Sequence, residues 1–216
     1  MLDSAKYYYD EACSLFPNEQ EVLKRKARLF IYLAQYDKAI GTLQQINEPE
    51  RDVFIKLGAL YYEQGDYEKA GYYTEKAFKM DESDFDANSL LGAIYAKTRN
   101  YQKSLEYMFA AEKIEPDNPE LLCNIAAVYS SLGDYYKAIE YGKKSLEFNP
   151  EQSNANKVVG DSYGAIGDND ASIKYLEQVL KFEPNNYSAL NNIACAYANI
   201  DNNKKAIEYY EQALQI

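Results

Sequence analysis

The stretch LGALYYEQGDYEKAGYYTEKAFKMDESD, residues 57–84, decides the fold once its neighbours are set beneath it. LGAIYAKTRNYQKSLEYMFAAEKIEPDN follows at 91–118, IAAVYSSLGDYYKAIEYGKKSLEFNPEQ at 125–152 and VGDSYGAIGDNDASIKYLEQVLKFEPNN at 159–186. A last copy, IACAYANIDNNKKAIEYYEQALQI at 193–216, stops early. Each copy starts 34 residues after the one before, and a period of that length marks a stacked repeat array. The frame divides the chain into full repeats at 51–84, 85–118, 119–152 and 153–186, with an incomplete one at 187–216. A shorter, irregular copy occupies 20–50, and residues 1–19 fit the second half of a repeat.

Within each copy, two apolar stripes of helical period flank a breaker. The breakers are Gly65-Asp66, Arg99-Asn100, Gly133-Asp134, Gly167-Asp168 and Asp201-Asn202. Their first residue can end one helix and their second can cap the next. Small residues recur where helices must cross closely: Gly58, Gly92, Ala126, Gly160 and Ala194 in the first helix, Ala70, Ser104, Ala138, Ser172 and Ala206 in the second. Pro17, Pro116, Pro150 and Pro184 fall just after second helices, which they cannot continue.

This constellation resembles the tetratricopeptide repeat (TPR) family over essentially the whole chain. The resemblance implies an all-α, right-handed superhelical solenoid of antiparallel helix pairs, a single array over 1–216. First helices would line the concave surface and second helices would face outward. Repeat 20–50 departs from the pattern. Lys26 stands in the frame where other copies have Leu57, Leu91, Ile125, Val159 and Ile193, which predicts a local distortion and a kink between an N-terminal and a C-terminal block.

Most of the 23 tyrosines fall into the same register. Tyr61, Tyr95, Tyr129, Tyr163 and Tyr197 recur in first helices and Tyr73, Tyr107, Tyr141, Tyr175 and Tyr209 in second helices. That spacing predicts inter-helix packing with hydroxyls at the wet edge, rather than a base-stacking ladder. Gly41, Gly71 and Gly142 inside second helices suggest close helix contacts or a place for a partner to land.

Composition narrows the function. Histidine is absent, which removes the usual proton shuttle, triad base and zinc imidazole. A formal net charge of −11 without a basic tract argues against duplex DNA, whose binding is dominated by phosphate neutralisation. No apolar run of about 20 residues suggests a transmembrane segment, though association with a membrane through a partner stays open. Cys13, Cys123 and Cys195 match no metal or redox spacing, and the reading is a reduced, cytoplasmic, non-enzymatic protein with no cofactor or metal. The acidic run at 81–86 lacks the turn glycine and closing glutamate of a calcium loop.

The groove implied by the resemblance is basic at its N-terminal end, with Lys24, Arg25, Arg28 and Lys56. It is small-lined in the middle, where Ser89, Ala93, Cys123 and Ala127 fall. Asn124, Lys157, Asp161, Asn191, Asn192 and Asn199 make its C-terminal end amide-rich. Asparagines offer donors and acceptors to a peptide backbone, and the cations could pair with acidic segments of a ligand. Lys157 and Asn192 match two positions at which chaperone-binding family members hold a terminal carboxylate. Asp161 stands where that clamp needs a neutral asparagine, which argues against such a ligand.

The leading expectation is a protein–protein interaction scaffold that holds a peptide or helix in its groove. Self-association through open solenoid ends is a second form of it, as in bacterial family members that coat organelles, magnetosome-associated ones among them. The alternative is a regulatory or substrate-recruiting region of a larger enzyme such as a glycosyltransferase. Asn124 and Asn192 share a repeat position with the asparagine ladder of such enzymes, but Lys56, Leu90 and Val158 interrupt it.

Overall fold

The computed structural model describes residues 19–216. The half repeat expected at 1–19, and with it Cys13 and Pro17, lies almost wholly outside them. Among the described residues there are twelve helices and no strands. They are α1 (Gln20–Tyr32), α2 (Tyr36–Leu43), α3 (Arg51–Glu63), α4 (Tyr67–Met80), α5 (Phe85–Lys97), α6 (Tyr101–Ile114), α7 (Pro119–Ser131), α8 (Tyr135–Phe148), α9 (Ser153–Ala165), α10 (Asn169–Phe182), α11 (Tyr187–Asn199) and α12 (Asn203–Leu214). The chain forms two compact units, one ending at Thr98 and the other running from Arg99 to Ile216.

The breakers act as their residue types dictate. Gly65, Gly133 and Gly167 take φ of 78°, 78° and 85°, in the left-handed region where glycine carries no Cβ penalty. Arg99 and Asp201 adopt φ of 60° at the matching positions. Asp66, Asn100, Asp134, Asp168 and Asn202 then cap the second helices, each side chain accepting the backbone N–H three residues on. Gln35, at the same place in repeat 20–50, makes no such bond.

In the first unit, α3 packs on α4, and α4 on α5. Leu23, Ala27, Phe30, Leu43, Val53, Leu57 and Leu60 form its buried core. This core corrects the frame of the irregular repeat. Leu23, Ala27 and Phe30 stand thirty residues before Val53, Leu57 and Leu60, so Ala27, not Lys26, takes the core position. Lys26 is half-buried instead, its ammonium 5.9 Å from the centre of the Phe30 ring. The cause is α2, which has 8 residues where α4 has 14. The break between units falls after Thr98, not at this short repeat.

In the second unit, the pairs α7–α8, α9–α10 and α11–α12 pack internally and stack on one another. Leu176, Val179 and Ile193 are fully buried. Glycines permit the close approaches. A Cβ on Gly142 would sit 2.4 Å from Val159 Cγ2, and one on Gly160 would sit 2.7 Å from Leu176 Cγ. Gly41 and Gly71 have no such neighbour, so of the three second-helix glycines only Gly142 marks a tight contact.

The tyrosines pair as inter-helix stacks. Tyr61–Tyr73, Tyr129–Tyr141, Tyr163–Tyr175 and Tyr197–Tyr209 have ring centroids 5.5, 5.7, 5.6 and 5.6 Å apart, with planes within 22° of parallel. In three of these repeats a lysine from the first turn of the second helix caps the first ring. Lys69, Lys137 and Lys205 lie 5.2, 4.9 and 4.7 Å from the centroids of Tyr61, Tyr129 and Tyr197.

Candidate functional site

The second unit contains a cavity of 290 Å³ whose lining includes Asp161, Gly164, Asn169, Asn192, Cys195 and Asn199. Its existence has a local cause. In repeat 51–84, the corresponding positions carry Tyr62 and Tyr67, which pack edge to face with centroids 5.6 Å apart. Three repeats later the same positions carry Gly164 and Asn169, so two large rings are replaced by a hydrogen atom and a short amide. The small residues Ala165, Ala196 and Ser172 complete the wall.

The polar side chains in and beside this cavity form two hydrogen-bonded groups, one around Asp161 and one joining Asn199 to Asn169. Lys157 Nζ donates to Asp161 Oδ2 at 2.5 Å, and Asn192 Nδ2 donates to Asp161 Oδ1 at 2.8 Å. Asn191 Nδ2 reaches Asn192 Oδ1 at 3.3 Å, and Asn199 Nδ2 reaches Asn169 Oδ1 at 3.1 Å. The Asp161 charge is therefore held between a cation and an amide. Each amide keeps spare capacity: the NH₂ of Asn192 has a second hydrogen, and Asn199 Oδ1 accepts nothing among the described residues. The set can pair with peptide N–H and C=O groups in either sense. Cys195 is exposed at the rim, with Sγ 3.2 Å from Tyr210 Oη, and that hydrogen bond pushes the Tyr210 hydroxyl up from its usual range.

Five of the residues expected from the sequence thus come together: Lys157, Asp161, Asn191, Asn192 and Asn199. Asn124, on α7, is half-buried and outside the cavity lining. Asn169 and Ser172 were not expected, because they come from a second helix that the groove picture assigned to the outer surface. The signal for Asn169 was present as the loss of tyrosine from a position held by Tyr67, Tyr101 and Tyr135. Cys123, expected in the middle of the groove, is buried, and burial pushes its thiol up to about 11. It stays protonated near neutrality and is a packing residue.

The N-terminal cations have a different character. Lys24 is only 8% exposed, and its ammonium binds Glu50 at 2.5 Å and Asp52 at 3.1 Å. Asp52 also binds Lys56 at 2.9 Å, and Arg25 pairs with Glu21 at 2.8 Å. Arg28 is exposed. The Lys24 charge is thereby spent on tying α1 to α3, which corrects the expectation that it projects into a groove. Its carboxylate partner Glu50 lies in the loop and was not anticipated. With the corrected register, Lys26 rather than Arg25 is the counterpart of Lys56.

These pairs set a pH response. The hydrogen bond from Lys24 to Glu50 raises the lysine above its ordinary 10.5. Burial pushes Asp52 up, but hydrogen bonds from Lys56 and Lys24 outweigh it and hold the carboxyl below its ordinary 3.8. A lowered acid contributes stability above its ordinary value and loses it as pH falls through the folded value; a raised lysine keeps its contribution until pH climbs past its ordinary value. The stability difference between wild type and Lys24→Met, measured by urea melts, is therefore expected to be flat from about pH 5 to 9 and to shrink below about pH 4. A gap unchanged at pH 3 would contradict this role for the network.

No curated protein sequence matches the chain. Solved structures do. MamA protein is 19% identical over 76% of this chain and 90% of its own, with a TM-score of 0.67. YrrB, described as a TPR protein with an unusual peptide-binding site, is 22% identical over 83% of this chain and 91% of its own, with a TM-score of 0.65. A tetratricopeptide repeat protein from Parabacteroides merdae is 18% identical over 91% of this chain and 79% of its own, with a TM-score of 0.72. At these identities the likeness speaks for the fold. Tetratricopeptide repeat family patterns match residues 119–152 in one case and residues 55–119 and 160–216 in another. With most of its length matched and helix pairs recurring at the family's period, the chain belongs to the tetratricopeptide repeat family.

Proposed function

We propose that the chain is a non-catalytic interaction scaffold that binds a peptide segment of another protein in the cavity between α9, α10 and α11 and so promotes assembly of a complex. One observation carries this reading: where repeat 51–84 has the paired rings of Tyr62 and Tyr67, this repeat has Gly164 and Asn169 beside an open cavity lined by amides able to pair with a main chain. Shape comes from the small residues, and orientation comes from Asp161, Asn192 and Asn199. This combination of an accessible concavity and a few convergent polar groups is what ligand sites share. Free thiols at Cys123 and Cys195 fit a reducing compartment such as the cytoplasm. Among the described residues no helix is long and apolar enough to cross a membrane.

The test is selection of linear peptides on the full chain from a displayed random library. Binders are expected to lose about tenfold in affinity for Asn192→Ala/Asn199→Ala, in keeping with the loss of one or two hydrogen bonds in a desolvated contact. Failure to enrich any peptide, or equal binding by the variant, would sink the reading.

Self-association is the second reading, and α12 supports it. Ile207 is 57% exposed, whereas Ile173 and Ile139 at the same repeat position are 7% and 8% exposed. Leu214 is 83% exposed on the same helix. A helix pair of a second copy offers the apolar surface that covers Ile173 within the chain. Molar mass by light scattering is expected to rise with protein concentration and to stay monomeric in Ile207→Glu. A constant monomer mass for both would dispose of it.

A further inference from the structure

Repeat 153–186 has lost a cation that its sister repeats hold in a fixed place. In repeat 51–84, Lys69 Nζ lies over the Tyr61 ring and 2.8 Å from the cap carboxylate of Asp66. In repeat 119–152, Lys137 lies over Tyr129 and 3.3 Å from the cap carboxylate of Asp134. Lys205 covers Tyr197 in the last repeat, beside the neutral cap Asn202. The matching residue in repeat 153–186 is Ala171. Both acceptors nonetheless persist there. Tyr163 still stacks on Tyr175, and Asp168 still caps α10 by accepting the backbone N–H of Ala171 at 3.1 Å.

The consequence is measurable in exposure. Tyr61, Tyr129 and Tyr197 are buried under their lysines, at 9%, 9% and 7%, while Tyr163 is only half-buried and Asp168 is exposed. No ammonium among the described residues lies over the Tyr163 ring, and no cation pairs with Asp168. The nearby Lys174 lies over Tyr175 instead, 5.9 Å from its centroid, and Asp170 adds a second exposed carboxylate in the same turn of helix.

We infer that Tyr163 and Asp168 form a docking point for a lysine side chain of a partner protein. The occupant's chemistry is given by the chain itself, which places a lysine ammonium against the same ring and the same cap carboxylate in two other repeats. Ring quadrupole and carboxylate both favour a cation, and the net charge of −11 favours the approach of a basic partner. Tyr163 is not part of the cavity lining, so this contact stands independently of the peptide cleft.

The experiment follows the Tyr163 ring resonances by NMR in ring-labelled full-length protein, assigned with Tyr163→Phe, during titration with N-acetyl-lysine methylamide. The expected result is a saturable shift, about fivefold tighter than any response to the neutral N-acetyl-norleucine methylamide. The shift is lost in Ala171→Lys, which supplies the cation in cis, and kept in Ala171→Gln. It is also kept in Asn192→Ala/Asn199→Ala, which separates this site from the cleft. Equal responses to the two probes, or an Ala171→Lys protein that responds like wild type, would overturn the inference.

Discussion

Leu176→Ala is expected to lower stability by about 3 kcal/mol, the usual loss for a leucine that leaves a cavity in a close-packed interior. Leu176 is fully buried on α10, and Gly160 of α9 lies against it. Gly160→Ala attacks the same contact from the other side. Its Cβ would sit 2.7 Å from Leu176 Cγ and 3.0 Å from Cδ2, so it should cost about 2 kcal/mol by overpacking despite the better helix propensity of alanine. The double variant is the decisive one. Removing the leucine branches takes away the two closest neighbours of the new methyl, at 2.7 and 3.0 Å. Its cost should fall short of the sum of the two by about 1 kcal/mol or more, the coupling expected of residues in direct contact. Urea melts on the four proteins provide the cycle; strict additivity would mean that α9 and α10 do not cross at this glycine.

Asn169→Tyr is expected to reduce affinity for a cleft-binding peptide by about thirtyfold while leaving the protein folded, an effect of the size seen when a central contact is lost. The substitution restores the residue type that Tyr67, Tyr101 and Tyr135 supply at this position. It refills part of the 290 Å³ space and removes the amide that accepts from Asn199. Because a tyrosine is accommodated there in other repeats, stability should hold or rise, which separates blocked binding from unfolding. Competition binding alongside a thermal melt checks both halves. Undiminished binding by a stably folded Asn169→Tyr protein would show that the peptide sits elsewhere.

Much of this molecule was legible because repetition averages out local noise. Breakers, caps and small crossing residues recur at one spacing, and each determines a backbone feature by its own chemistry: Gly133 a left-handed φ, Asp134 a cap, Gly160 a close crossing. The amide cluster around Asp161 was legible for the same reason, since one face of α9 and α11 follows from the frame. What escaped was whatever broke the period. The shortened α2 moved the register of α1 by one residue, so Lys26 was assigned a core place that Ala27 occupies. Glu50 lies in an irregular loop, and its pairing with the buried Lys24 ammonium depends on tertiary approach that no spacing encodes. Asn169 was hidden for a subtler reason. The informative event was an absent tyrosine, and the void it leaves is a property of packing between helices.

The side-chain amide resonances of Asn191, Asn192 and Asn199 test the central claim most directly, followed in 15N-labelled protein during titration with a library-selected peptide. The account predicts that these three shift together and saturate with the binding isotherm, while the cap amides of Asn118 and Asn202, whose side chains serve their own helices, stay in place. Shifts centred on other residues, with the amides of α11 unmoved at saturation, would contradict it.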